Sequence, residues 1–157
     1  MINFDKNGNP QPPGIVNIPY ADFKLVFVDN FGNSKTRTLI FEKYQNYVSD
    51  FKKEIYQEFS HWVNGSYTTA KENPNDIDIV KMVEFNEQVN SKQSELRSFL
   101  TVGGSKEKYL VDGYFIPIYD KEDPRYEITE HWLNHWAHFF GHDRQSRPKT
   151  LFELTYS

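Results

Sequence analysis

The chain contains no cysteine, which excludes disulfides, thiolate nucleophiles and cysteine metal ligands. It has no apolar run near the ~20 residues that a membrane-spanning helix needs. Its N-terminus lacks the basic and then apolar pattern of a secretory signal. An excess of positive charge is missing too: 18 Lys and Arg against 22 Asp and Glu give a formal net charge of −4. That balance argues against general DNA binding or an anionic-membrane surface. Together these absences favour a cytoplasmic protein.

What is present is ring-bearing side chain. Aromatics make up 17% of the 157 residues, with 13 Phe, 10 Tyr and 3 Trp, so the core of this expected single domain is largely aromatic. Residues 1–19, rich in Asn, Gly and Pro, read as an irregular leader laid over the surface. Residues 21–28 fit a short helix somewhat better than a strand. Thr36 to Phe59 is the longest helical stretch, with Leu39, Ile40, Tyr44, Tyr47, Val48, Phe51, Ile55 and Phe59 in a stripe at three- and four-residue steps. Short strands are expected at 61–64 and from Asp76 to Val80, the second extendable to Val83. Residues 86–100 read as a mostly polar helix broken by Gly103-Gly104. A third strand covers 109–119, rich in aromatic and β-branched residues. Asp123-Pro124 opens a helix that stops at Gly141. Residues 141–157 form a C-terminal tail in which 150–156 is either an edge strand or unstructured. The fold class is α/β (α+β), a small mixed, twisted sheet flanked by helices.

The stretch from His61 to Val80, HWVNGSYTTAKENPNDIDIV, concentrates the chemistry. A strand leads into Gly65-Ser66, nine residues intervene, and Asp76-Ile77-Asp78-Ile79 follows. Alternation along a strand puts Asp76 and Asp78 on one face and the isoleucines in a core. Two carboxylates on one face repel unless a cation neutralises them. One or two carboxylates together with substrate phosphates are the usual setting for Mg²⁺. The glycine lets a backbone turn approach a phosphate, and Ser66 adds a hydroxyl.

These residues resemble the signature of the DNA polymerase beta superfamily of nucleotidyltransferases: Gly-Ser, a gap of about ten, then Asp-apolar-Asp-apolar. The wording is closer to a group of small, mostly uncharacterised bacterial proteins of that superfamily. Pro12-Pro13-Gly14 near the start is similar to theirs, as are Phe139 to Gly141, Asp143-Arg144 and Pro148-Lys149 near the end. The resemblance implies a nucleotidyltransferase-type sheet and a third metal-binding carboxylate on a neighbouring strand. Asp112 is the only acid inside the third strand, where an isolated Asp needs a partner; Asp120 and Asp123 lie in a loop. The expected catalytic and metal-binding set is Asp76, Asp78 and Asp112, holding Mg²⁺ or Mn²⁺. Gly65, Ser66 and Lys71 would bind the nucleotide. The small relatives thought active carry an arginine-containing turn after Gly-Ser, whereas here the place reads Tyr67-Thr68-Thr69-Ala70.

Other residues bear on alternatives. Arg144, Arg147 and Lys149 form a basic cluster suited to a triphosphate, an RNA backbone or an acidic protein face. His131, His135 and His138 share a helix face, a spacing that can bind zinc, although boundary histidines are commoner as ordinary hydrogen-bonding residues.

The expected function is metal-dependent transfer of a nucleoside monophosphate from a nucleoside triphosphate to a protein or RNA acceptor. Two other classes stay open. One is a catalytically silent regulatory or antitoxin module that binds a partner, and the other is a zinc-dependent hydrolase using the C-terminal histidines. Retention of three acids favours the enzyme, and the altered turn favours the silent module.

Overall fold

A computed structural model describes residues 2–157. Five strands form one mixed sheet in the order β3-β7-β4-β5-β6, with β3 at Gly14–Asn17, β4 at Phe59–Asn64, β5 at Ile77–Glu84, β6 at Val111–Ile118 and β7 at Thr150–Tyr156. A separate two-stranded ribbon pairs β1 (Asn3–Phe4) with β2 (Pro10–Gln11). β4 runs antiparallel to both neighbours, whereas β3–β7 and β5–β6 are parallel. The expected mixed α+β class is the one observed. No helix among the described residues is long and apolar enough to cross a membrane.

Each face of the sheet has its own cover. On one face Phe59, Val63, Ile77, Ile79, Val83, Val111, Phe152 and Leu154 pack against α1 (Tyr20–Lys24), its π-helical continuation Leu25–Asp29, and α2 (Arg37–Glu54). The buried side of α2 carries Ile40, Phe41, Tyr44, Tyr47, Val48 and Phe51; within the helix the stripe read from the sequence holds except that Leu39 is exposed and Phe41 is buried in addition. Its rings meet edge-on, as Phe51 and Phe59 do at 4.8 Å, the geometry that ring quadrupoles favour. On the other face Trp62, Val80, Ile116 and Leu151 receive Leu133, Trp136, Ala137 and Phe140 of α6 (Tyr126–Phe140).

Several boundaries differ from the sequence reading. The long helix ends at Glu54, and Phe59 opens β4. Ile55 and Phe59 extend the helical spacing by coincidence, because Phe59 is buried by strand pairing with Tyr156. The expected helix over 86–100 is two short ones, α3 (Glu87–Asn90) and α4 (Gln93–Arg97). Tyr109, taken for the start of a strand, instead ends α5 (Ser105–Tyr109). The leader is not irregular throughout, since β3 adds a parallel edge strand beside β7. The C-terminal segment is not a tail: β7 lies inside the sheet between β3 and β4, where both of its backbone edges are paired.

Candidate active site

One end of the α6-covered face carries a polar row. Register pairs Asn64 with Asp78 and Asp78 with Asp112, so these three side chains sit side by side on β4, β5 and β6. Adjacent strands lie about 4.8 Å apart, which puts the two carboxylates in direct electrostatic contact. Asp76, two residues earlier and in the same strand phase, stands at the mouth of the row and pairs with Lys106 Nζ at 3.1 Å. The structure therefore sets Asp78 beside Asp112, with Asp76 further along the same face and paired with Lys106. Among the described residues no three His, Cys, Asp or Glu side chains close around a single point, and Asp76 is engaged by Lys106 instead.

The Gly65 turn is built against these acids. Gly65 adopts φ +81°, and a Cβ there would run into the carboxylate of Asp78. Only glycine allows both the left-handed backbone and that approach. The Asn64 side chain accepts from the Gly65 N–H and donates to the carbonyl of Phe140, tying the turn to the end of α6. Ser66 begins a short 3₁₀ turn, Ser66–Thr68, and its carbonyl accepts from Thr69 Oγ1 at 2.8 Å.

Burial, reinforced by the charges of Asp76 and Asp112 and by the hydrogen-bonding reach of Asp112, pushes the Asp78 carboxyl up to about 7. Lys149 opposes this. That lysine is only 4% exposed, and burial lowers its own pKa while Asp78 and Asp143 hold it up. A row with a carboxyl near neutral in pKa has an unmet demand for positive charge, which a proton or a divalent cation can supply.

Asp112 is oriented by a residue the sequence reading passed over. The Thr101 hydroxyl donates to Asp112 Oδ1 and accepts the Gly113 N–H at 2.8 Å. Gly113, next to Asp112, does not open space beside the acids. A Cβ there would strike the backbone of Phe99 on the other face, so its role is to let residues 99–105 cross the sheet edge. Nothing in the local sequence marks Thr101.

Lys71 is exposed and its side chain does not reach the acids; Lys106 and Lys149 are the lysines whose charge acts there. The C-terminal basic residues do not form one patch. Arg147 pairs with Asp143 at 2.6 Å, Arg144 is exposed and Lys149 is buried. His131 and His135 lie exposed on α6 with ring centroids 6.5 Å apart, and His138 faces His142 at 4.4 Å. The buried side of α6 uses Leu133, Trp136, Ala137 and Phe140, leaving Trp132 and Phe139 exposed at 38% and 63%.

A mixed α/β domain with a half-buried acidic row packed on a glycine turn is the class that fold and site define. The chain belongs to the Family of unknown function (DUF6932), whose family model matches residues 2–155. No curated protein and no solved structure matches it.

Proposed function

We propose that this protein is a metal-dependent nucleotidyltransferase acting in the cytoplasm, moving a nucleoside monophosphate from a nucleoside triphosphate to a protein or RNA acceptor. The observation that carries this reading is the register of Asp78 against Asp112, with the Gly65 turn packed on Asp78. The resemblance of Gly65-Ser66 and Asp76-Ile77-Asp78 to the superfamily signature supports the same assignment. Asp76, Asp78 and Asp112 would hold Mg²⁺ or Mn²⁺. The ion would lower the pKa of the attacking hydroxyl and stabilise charge on the triphosphate and on the pyrophosphate that leaves as the acceptor oxygen bonds to the α-phosphorus. The Gly65-Ser66 turn would border the outer phosphates, and Lys106 and Lys149 would add positive charge on either side of them. Asp112, held by Thr101, would accept the proton of the acceptor hydroxyl at a carboxylate oxygen.

A specific feature favours a second reading, the silent regulatory module. Lys106 neutralises Asp76 without any metal, and the turn after Ser66 buries Tyr67 and Thr68 where an arginine grip would stand. Incubation with labelled nucleoside triphosphates, Mn²⁺ and cell lysate separates the two. The enzyme labels a macromolecule, and Asp76→Ala, Asp78→Ala and Asp112→Ala each abolish the label. Tight nucleotide binding without any transfer, alongside a co-purifying partner, would favour the silent module.

A further inference from the structure

Beside the acidic row, at the open edge of β6, lies a cavity of about 260 Å³ lined by Leu100, Val102, Gly113, Tyr114, Trp132 and Trp136. We propose that this cavity is the subsite for the nucleobase of the donor triphosphate, an inference that rests on reading the acids as the triphosphate site.

Three observations point to a flat, uncharged ring as the occupant. The lining contains no charged side chain, so it suits the neutral end of a ligand whose phosphates lie at Lys106 and Lys149. Its walls are aromatic: Tyr114 and Trp136 lie 4.9 Å apart, and Trp132, an outer wall flanked by the His131 and His135 rings, is 38% exposed. The volume is below the roughly 300–1,000 Å³ of drug-sized ligand sites, enough for one ring system and not for a complete second substrate.

Placement agrees with this size. Tyr114 follows Asp112 by two residues on the same face, about 7 Å along the strand, the span that one ribose bridges between the α-phosphate and the base. Stacking on aromatic side chains accepts any base through its π-face, so this subsite would add affinity with little base selectivity.

Tryptophan fluorescence of the full chain tests the proposal, with Mg²⁺–ATP compared against Mg²⁺–tripolyphosphate. ATP is expected to bind at least tenfold more tightly and to quench emission. Trp132→Ala and Val102→Asp should each remove most of that advantage, leave tripolyphosphate binding unchanged and keep a native melting transition. Equal affinity for the two ligands, or an ATP advantage that survives Trp132→Ala, overturns the nucleobase subsite while leaving the acidic site standing. Quenching by a short RNA and not by ATP assigns the cavity to an acceptor base and overturns the donor assignment. If neither ATP nor tripolyphosphate binds, or if binding persists unchanged in Asp78→Asn, the reading of the acids fails and this proposal fails with it.

Discussion

Arg37 and Tyr67 bind each other in both directions. The guanidinium Nη1 donates to the Tyr67 carbonyl at 2.7 Å, and the Tyr67 hydroxyl donates to the Arg37 carbonyl at 3.1 Å. The same guanidinium reaches the carbonyls of Phe27, Thr69 and Lys71 and lies 3.8 Å from the Phe31 ring centroid. One buried cation thus gathers three carbonyls of the segment that follows the Gly65 turn. Arg37→Ala strands these acceptors and should cost on the order of 3–5 kcal/mol. Arg37→Lys should recover only part, since an ammonium lacks the planar fork. Denaturant melts give the ranking, and hydrogen exchange should show protection lost first around residues 67–71. Equal stability of the lysine variant and the wild type would show that charge alone suffices.

Asp78 makes stability depend on pH. Its folded-state pKa of about 7 lies above the ordinary carboxylate value of 3.8, so the folded state binds the proton more tightly. The favourable contribution is complete below about pH 4 and is lost as pH rises through 7. Asp78→Asn removes the charged form and should raise Tm by a few degrees at pH 8, with a smaller gain at pH 4.5. Millimolar Mn²⁺ with ATP should stabilise the wild type and not this variant. A pH-independent difference between the two proteins would mean that Asp78 is not under electrostatic stress.

Asp76 and Asp78 are legible as a pair because strand alternation puts them on one face. Asp112 is singled out by the third carboxylate that the family resemblance implies, and its place beside Asp78 comes from the pairing of β5 with β6. The same alternation puts Lys81 in phase with Ile77, Ile79 and Val83, on the core face. Nothing in the sequence sets Arg37 apart from other residues of a first helical turn, because its partners are carbonyls and a backbone carbonyl leaves no mark in a sequence. Thr101 and Lys106 become site residues only when the 99–109 segment folds over the edge of β6. The interior position of β7 was equally hidden, since an alternating strand at a chain end reads the same whether one or both of its edges are paired.

Gly65→Ala probes the turn itself. The substitution forces an alanine to φ +81° and drives its Cβ into the Asp78 carboxylate. A cost of about 1–3 kcal/mol is expected from the backbone conformation, with Asp78 displaced from Asp112 as well. Thermal stability should fall moderately while stabilisation by Mn²⁺ and ATP disappears. A variant that melts lower yet keeps the full ligand-dependent shift would separate the turn from the site.

Lys81 gives the last prediction. Its amine lies 3.1 Å from His61 Nδ1, His61 Nε2 meets the Tyr44 hydroxyl at 2.7 Å, and Tyr44 meets Tyr156 at 2.5 Å. No carboxylate pairs with Lys81 among the described residues. Burial drives its pKa well below the ordinary lysine value and does the same to His61. The faces of Phe59 and Phe51, at 4.0 and 4.2 Å from Nζ, work the other way by favouring a cation. Burial without a counter-charge is the larger effect, so the folded chain holds a neutral amine that donates to a neutral imidazole. The unfolded chain protonates this lysine below its ordinary pKa of 10.5. The contribution of Lys81 to stability is therefore present above that value and is lost as pH falls toward the folded pKa. Lys81→Met keeps the length and removes the titration, so it should stabilise the protein more at pH 6 than at pH 9. Melting curves of both proteins across that range decide the matter. A Lys81→Met protein that is less stable at every pH would show that the ring faces and the His61 bond outweigh burial, and that the core holds an ammonium.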